Sequence, residues 1–232
     1  YSKSDALLQG KYKREEVINQ LKLNPLFKTV LYAPSWDEGL SLRSFGEEVI
    51  NYILEIQYIN LIVKLHPISY CTADGPNYLF YTGGIDWVKI FSKYDTYPNF
   101  RHVPSNNIDP LLTAADVMVT DLSSVALEFI MLDKPVIYID CPEFFEKTLK
   151  KTYSNFGDTT AEFVKNDPKA NAGRHVGYVI PGPEKLPEAI RKCLDNPAEL
   201  SGKRKEFAEQ LSYNPGNAAN KAAEKILEIL DL

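Results

Sequence analysis

Between residues 115 and 141 the chain reads ADVMVTDLSSVALEFIMLDKPVIYIDC, and no other stretch limits the fold as tightly. Residues 116–120 form a short apolar run of β-branched character. Residues 121–124 are a polar turn, residues 125–132 have helical character, and residues 135–139 are a second apolar strand. The same alternation of strand and helix runs through the chain. Strands are expected at 29–33, 60–65, 100–103 and 178–180. Helices are expected at 13–21, 44–56, 85–93, 108–114, 183–194, 197–211 and 218–230. Residues 69–98 mix glycine, proline and aromatic residues, and residues 141–174 read as rich in loops. Strands that alternate with helices predict right-handed βαβ units and a parallel sheet. The expected fold class is therefore α/β: a Rossmann-like three-layer parallel sheet with helices on both faces.

In such a sheet the carboxyl ends of the strands share one edge, where ligands of open α/β folds bind. Those ends carry Pro34-Ser35-Trp36, His66-Pro67, His102-Val103-Pro104, Thr120-Asp121 and Asp140-Cys141. Both Pro-flanked histidines and the Asp121-Leu-Ser-Ser turn are thus expected to converge on one crevice. Ser123 and Ser124 stand where a helix begins. Their hydroxyls either cap free N–H groups or leave those groups to face a phosphate. Glu128 lies one helical turn beyond Ser124 and shares its face. A carboxylate there can accept both hydroxyls of a ribose; an exposed surface glutamate is the plain alternative. A diphosphate held at such a turn points to a nucleotide-activated donor. The chain has no GxGxxG or GxxxxGK[ST] loop, which argues against a dinucleotide dehydrogenase or a P-loop NTPase.

The 232 residues are 44% hydrophobic, enough for one large domain or one and a half. A net charge of −5 without a basic stripe argues against nucleic acid as a partner. No apolar run approaches the roughly 20 residues of a membrane span, and the start does not read as a signal peptide. Cys71, Cys141 and Cys193 are scattered and odd in number, so neither a zinc motif nor a disulfide framework is expected, and a reducing cytoplasm fits best. No Asp-x-Asp pair stands at a strand end. No dedicated metal site is expected, and Mg²⁺ would enter through substrate phosphates. The first residue is Tyr1, so a piece of a longer chain is expected.

Several motifs in this order resemble the CDP-glycerol glycerophosphotransferase family of teichoic acid biosynthesis. They are Tyr-Ala-Pro-Ser-Trp (32–36), Lys-Leu-His-Pro (64–67), Ile-Asp-Pro-Leu-Leu (108–112), the run 115–124, Glu128-Phe129 and Lys134-Pro135-Val136-Ile137. Leu122 stands where that family carries tyrosine, and the stretch 69–98 is long for it. The resemblance implies the C-terminal, donor-binding half of a GT-B fold. Residues 1–12 would be an interdomain linker, residues 13–214 the nucleotide-donor domain, and residues 215–232 a helix packing back toward an absent N-terminal acceptor domain. That acceptor half would supply a catalytic base. The Asp121-Leu-Ser-Ser-x3-Glu128 pattern is also similar to the nucleotide site of UDP-GlcNAc 2-epimerases, which assigns Glu128 to the ribose.

These readings give each candidate a role. Ser123, Ser124, Thr120 and Asp121 belong to the phosphate turn, with Asp121 bracing it. His66, as imidazolium or N–H donor, contacts a phosphate oxygen as the catalytic side chain; capping the turn before Pro67 is its alternative. His102 and Val103 mark the pyrimidine pocket that runs to Asn107. Arg174 is a further phosphate ligand or else a surface arginine. Trp36 and the tyrosines 94–97 are read as packing. The expected function is transfer of glycerol phosphate, or a related polyol phosphate, from a CDP-activated donor to a polymer or lipid-linked acceptor. The alternatives are a UDP-sugar enzyme of the same fold and a nucleotide-binding module without turnover. The expected place is the cytoplasm, peripheral to the inner face of the cell membrane.

Overall fold

The computed structural model describes residues 4–152 and 158–230. Six strands run in chain order: β1 (Lys28–Tyr32), β2 (Ile59–Val63), β3 (Phe100–His102), β4 (Val117–Thr120), β5 (Val136–Ile139) and β6 (Tyr178–Ile180). All pairs are parallel, in the order β3-β2-β1-β4-β5-β6. The order reverses between β1 and β4, which is the switch point where a doubly wound sheet opens a crevice.

Each strand has period-two alternation, and here both faces are buried. Val30, Tyr32, Leu61, Val63, Val117 and Val119 enter one core. Leu31, Ala33, Ile62, Met118 and Val136 enter the other. Helices Ser41–Phe45, Glu47–Leu54, Trp87–Ser92 and Leu186–Asp195 cover the first face through Leu42, Ile50, Phe91 and Ile190. Helices Arg14–Gln20, Asp109–Ala114, Val125–Ile130 and Ala172–Val176 cover the second through Ile18, Leu112, Phe129 and Val176.

Two expectations differ from what is observed. The single helix over 44–56 is two helices, because Gly46 between them takes φ 48°, outside the right-handed helix. The loop-rich stretch 141–174 carries helices Leu149–Thr152, Asp158–Asn166 and Ala172–Val176. The second of these is mostly polar, so hydrophobic period had little to mark. In the third, Gly173 reads as a breaker but serves packing: a Cβ there would sit 3.1 Å from Val136 Cγ1. Residues 4–12 make contacts of their own with the rest of the chain. Asp5–Leu8 is helical, Leu7 is buried, and the Asp5 carboxylate accepts the Ala218 and Ala219 N–H groups at 3.0 and 2.8 Å. This carboxylate starts helix Ala218–Ile229, in which no residue is buried.

The loops at the switch point are tied together by Asp121, which is fully buried. Its carboxylate accepts the Ser35 N–H at 2.8 Å, the Ser41 N–H at 2.9 Å and the Ser41 hydroxyl at 2.6 Å. Ser41 Oγ lies 3.0 Å from the Tyr32 hydroxyl. Thr120 Oγ1 donates to Ala33 O at 2.7 Å, and Ser35 Oγ donates to Leu122 O at 2.6 Å. Burial pushes Asp121 up to about 6, against the hydrogen bonds from Ser41 and Ser35 that pull it down. Nearby Asp37 is also raised to about 6, first by burial and then by the charge of Asp121.

A carboxyl raised from an ordinary 3.8 to about 6 binds its proton more tightly folded than unfolded. Its contribution to stability is therefore full below pH 3.8 and is lost as pH rises through about 6. Asp121→Asn cannot accept from both Ser35 and Ser41. It should lose about 1–3 kcal/mol at pH 7, the range for an orphaned buried donor, and flatten the fall in stability across this window. Urea unfolding at a series of pH values checks both; an unaltered slope would remove Asp121 from this role.

Candidate functional site

A cavity of about 310 Å³ opens at the switch point, at the lower end of the size range of small-molecule pockets. Four strand ends build it. Ala33, Pro34 and Ser35 follow β1; Lys64, His66 and Pro67 follow β2; Asn106 to Asp109 follow β3; Ser123, Ser124 and Val125 follow β4. The parallel register sets this gathering, since Tyr32 pairs with Val63 and with Val119, and Val63 with His102.

Ser123 and Ser124 both line the cavity, and Ser124 is exposed. Ser124 occupies the N-cap of helix Val125–Ile130 without a side-chain capping bond. The capping alternative is thus not realised for its hydroxyl. His66 is exposed and lines the opposite part of the same sheet edge. Its Nδ1 accepts the Ile68 N–H at 3.3 Å, which leaves Nε2 to carry the proton. Burial and then the charge of Lys64 lower the His66 pKa. The neutral Nε2–H donor is accordingly the favoured form at neutral pH, rather than the imidazolium.

The other sequence candidates are placed differently. Asp121 and Thr120 are wholly buried and spend their oxygens on the β1 loop. Glu128 is wholly buried and is not among the residues lining the cavity. His102 also lies off the lining: its Nε2 is 3.0 Å from the Tyr70 hydroxyl, and its ring meets Phe91 edge-on at 5.1 Å. Burial lowers its pKa, so it too favours the neutral form. Val103 is half-buried against the second core. Arg174 pairs with Asp140 and lies over the Tyr138 ring, away from the cavity. Trp36 packs on Phe80 and Tyr81 at 5.6 and 5.2 Å.

Residues not assigned a role from sequence complete the wall. Lys64 is buried yet lines the cavity, as does Asp109. The signal for Lys64 was a charge at the end of an otherwise apolar strand, two residues before His66. Asn107 is held by the Tyr12 hydroxyl at 3.0 Å and accepts the Asp109 N–H at 3.1 Å, so the docked N-terminal segment steadies this loop. Among the described residues, no group of three or more His, Cys, Asp or Glu is placed to hold a metal ion. No described helix is long and apolar enough to cross a membrane.

The chain is 25% identical over 240 residues to a teichoic acid poly(glycerol phosphate) polymerase of Bacillus spizizenii, covering 98% of this chain and 52% of that protein. It is 33% identical over 115 residues to a teichoic acid glycerol-phosphate primase of Bacillus subtilis, covering 48% of this chain and 25% of the primase. Among solved structures, a histidine variant of the wall teichoic acid polymerase TagF superposes with a TM-score of 0.60 at 15% identity, over 100% of this chain and 51% of that one. Anabaena HepE in complex with UDP and glucose superposes with a TM-score of 0.53 at 14% identity, over 92% and 51%. These likenesses share the expected α/β fold, that of one half of a GT-B enzyme. The chain spans about half the length of the polymerase it matches. A family model described as CDP-Glycerol:Poly(glycerophosphate) glycerophosphotransferase matches residues 1–228, and the chain belongs to that family.

Proposed function

We propose that this chain is the donor-binding half of a glycerophosphotransferase. It would hold a CDP-activated polyol, CDP-glycerol first of all, while glycerol phosphate passes to a polymer or lipid-linked acceptor in surface-polymer synthesis. The observation that carries this reading is the family's span over residues 1–228 together with a cavity at the switch point that gathers Ser123, Ser124 and His66.

In this transfer the acceptor oxygen attacks the phosphorus of the glycerol phosphate, and the bond to the bridging oxygen breaks. CMP leaves with the added negative charge. The hydroxyls of Ser123 and Ser124 hold the diphosphate oxygens. His66 Nε2–H donates to an oxygen on which charge develops, without itself carrying a charge that would bind the ground state as tightly. The proton lost by the acceptor goes to a base outside this half. Mg²⁺ carried on the donor's phosphates belongs to the proposal as well. The exposed helix Ala218–Ile229 is proposed to pack toward the acceptor half, at the inner face of the cell membrane.

Calorimetric titration with CDP, UDP and GDP, with and without Mg²⁺, tests the donor class. A preference for CDP is expected; a preference for UDP would move the chain to the nucleotide-sugar enzymes. Replacing Ser123 and Ser124 together by alanine should weaken CDP binding by about tenfold or more, at roughly 0.5–1.5 kcal/mol for each hydrogen bond, while the melting temperature stays within a few degrees. Unchanged affinity would sink the phosphate assignment. Glu128 is given to the ribose by resemblance alone, and its burial makes the test sharp. The proposal expects Glu128→Gln to narrow the gap between CDP and its 2′-deoxy form, and an equal gap takes Glu128 out of the role.

A further inference from the structure

Asn106 and Asn107 follow one another in the turn after β3, both exposed and both on the cavity wall. Their side chains are spent differently. The Asn107 N–H donates to Ser105 Oγ at 3.1 Å, its Oδ1 accepts the Asp109 N–H at 3.1 Å, and its Nδ2 donates to the Tyr12 hydroxyl at 3.0 Å. Ser105 Oγ donates back to Asn107 O at 3.1 Å, and the Ser105 N–H donates to Val103 O at 2.9 Å. The side-chain amide of Asn106, between these two committed residues, makes no hydrogen bond to another described residue. On the facing wall, Ser35 Oγ is engaged by Leu122 O, whereas His66 offers an N–H and Ser123 and Ser124 offer hydroxyls. A diphosphate presents acceptors alone and is matched by such donors. The edge of a nucleobase presents a donor and an acceptor side by side. A carboxamide carries an acceptor oxygen beside a donor NH2 in one plane, and so meets a base edge in two hydrogen bonds.

We propose that Asn106 binds the base of the donor nucleotide, its side-chain amide pairing with the hydrogen-bonding edge of the pyrimidine. The inference rests on the reading of the cavity as a nucleotide site and names the side chain that meets the base. Against cytosine, Oδ1 accepts from the 4-amino group and Nδ2 donates to the ring nitrogen beside it. The turn prepares this contact. With Ser105 and Asn107 already fixed, the Asn106 side chain is what remains to be ordered on binding, and the entropy lost is small. An amide can also turn over and present its donor to a 4-oxo group. Asparagine therefore supplies affinity for either pyrimidine, and a carboxylate in its place would serve the 4-amino base alone.

The test is calorimetry of the 232-residue chain and of two variants, Asn106→Ala and Asn106→Asp, titrated with CDP, UDP and inorganic pyrophosphate. Asn106→Ala is expected to lose CDP affinity by about fivefold or more, the size of two hydrogen bonds, with pyrophosphate affinity unchanged. Asn106→Asp is expected to raise the ratio of CDP to UDP affinity by about fivefold or more, because a carboxylate accepts from a 4-amino group and repels a 4-oxo group. Its added charge meets the same phosphates in both ligands and cancels in the ratio. Unchanged CDP affinity in the alanine variant overturns the assignment. So does a parallel loss of CDP and pyrophosphate, the mark of a residue that merely shapes the wall, and so does an unchanged ratio in the aspartate variant. Thermal melting establishes that both variants are folded. Failure of the underlying reading is distinct: the unaltered chain would then hold CDP no better than pyrophosphate. If the unaltered chain holds CDP better and Asn106→Ala keeps that margin, only the asparagine assignment falls.

Discussion

The carboxylate of Asp121 accepts two N–H groups and one hydroxyl from the loop that leaves β1, at a position with no exposure to water. This contact matters because of what the sheet does beside it. The helices after β1 lie on one face and the helix after β4 lies on the other. The two chain segments therefore part at the end of adjacent strands, and the gap between them is the cavity. The ladder reaches as far as the Ala33 N–H, which donates to Val119 O at 3.0 Å, and beyond it some other contact must hold the parting loops at a fixed separation. Asp121 does so from the β4 side, with Thr120 Oγ1 on Ala33 O and Ser35 Oγ on Leu122 O as parallel ties. Burial of the carboxyl opposes its ionisation, as its rise to about 6 records. The tie fixes the separation of the two loops at some expense in stability.

The turn after β4 is thereby divided by direction. Thr120 and Asp121 point into the protein and bind its own backbone, whereas Ser123 and Ser124 border the cavity. The strand ends after β2 and β3 divide in the same way. His66 borders the cavity while Tyr70 and His102 meet behind it at 3.0 Å, with Phe91 packed on the imidazole. Each of these cavity-lining residues thus has an inward-facing neighbour close in sequence. A substitution at an inward residue therefore disturbs the loops that shape the cavity.

Much of this was legible in the chain. Buried parallel strands read as short β-branched runs, and alternation with helices sets the sheet type, so all six strands and their shared edge follow from pattern. Direction at the strand ends did not follow. Ser, Asp, Glu and His in a turn look equally available in one dimension, and whether Glu128 is buried or exposed depends on how the helix over 125–130 rolls against Ala172 and Val136. Arg174 reads as a phosphate ligand until Asp140 is seen beside it. Lys64 was hidden for the opposite reason. A lysine at the end of an apolar strand usually extends to water, and only the closure of four strand ends around it makes it part of a wall.

Charge decides how such a wall can hold a diphosphate. With a net charge of −5, the chain as a whole repels a polyanion. Attraction must then be local, short in range and weakly screened. In the proposed site the hydroxyls of Ser123 and Ser124 would supply directed hydrogen bonds without charge, and His66, whose pKa is lowered, would supply another as a neutral donor. Were His66 cationic, its charge would hold CMP, the leaving group of the proposed transfer, and slow its release. Because an imidazole can strengthen its hydrogen bond as charge grows on a phosphate oxygen, the proposed set would favour the transition state over both the bound donor and the product.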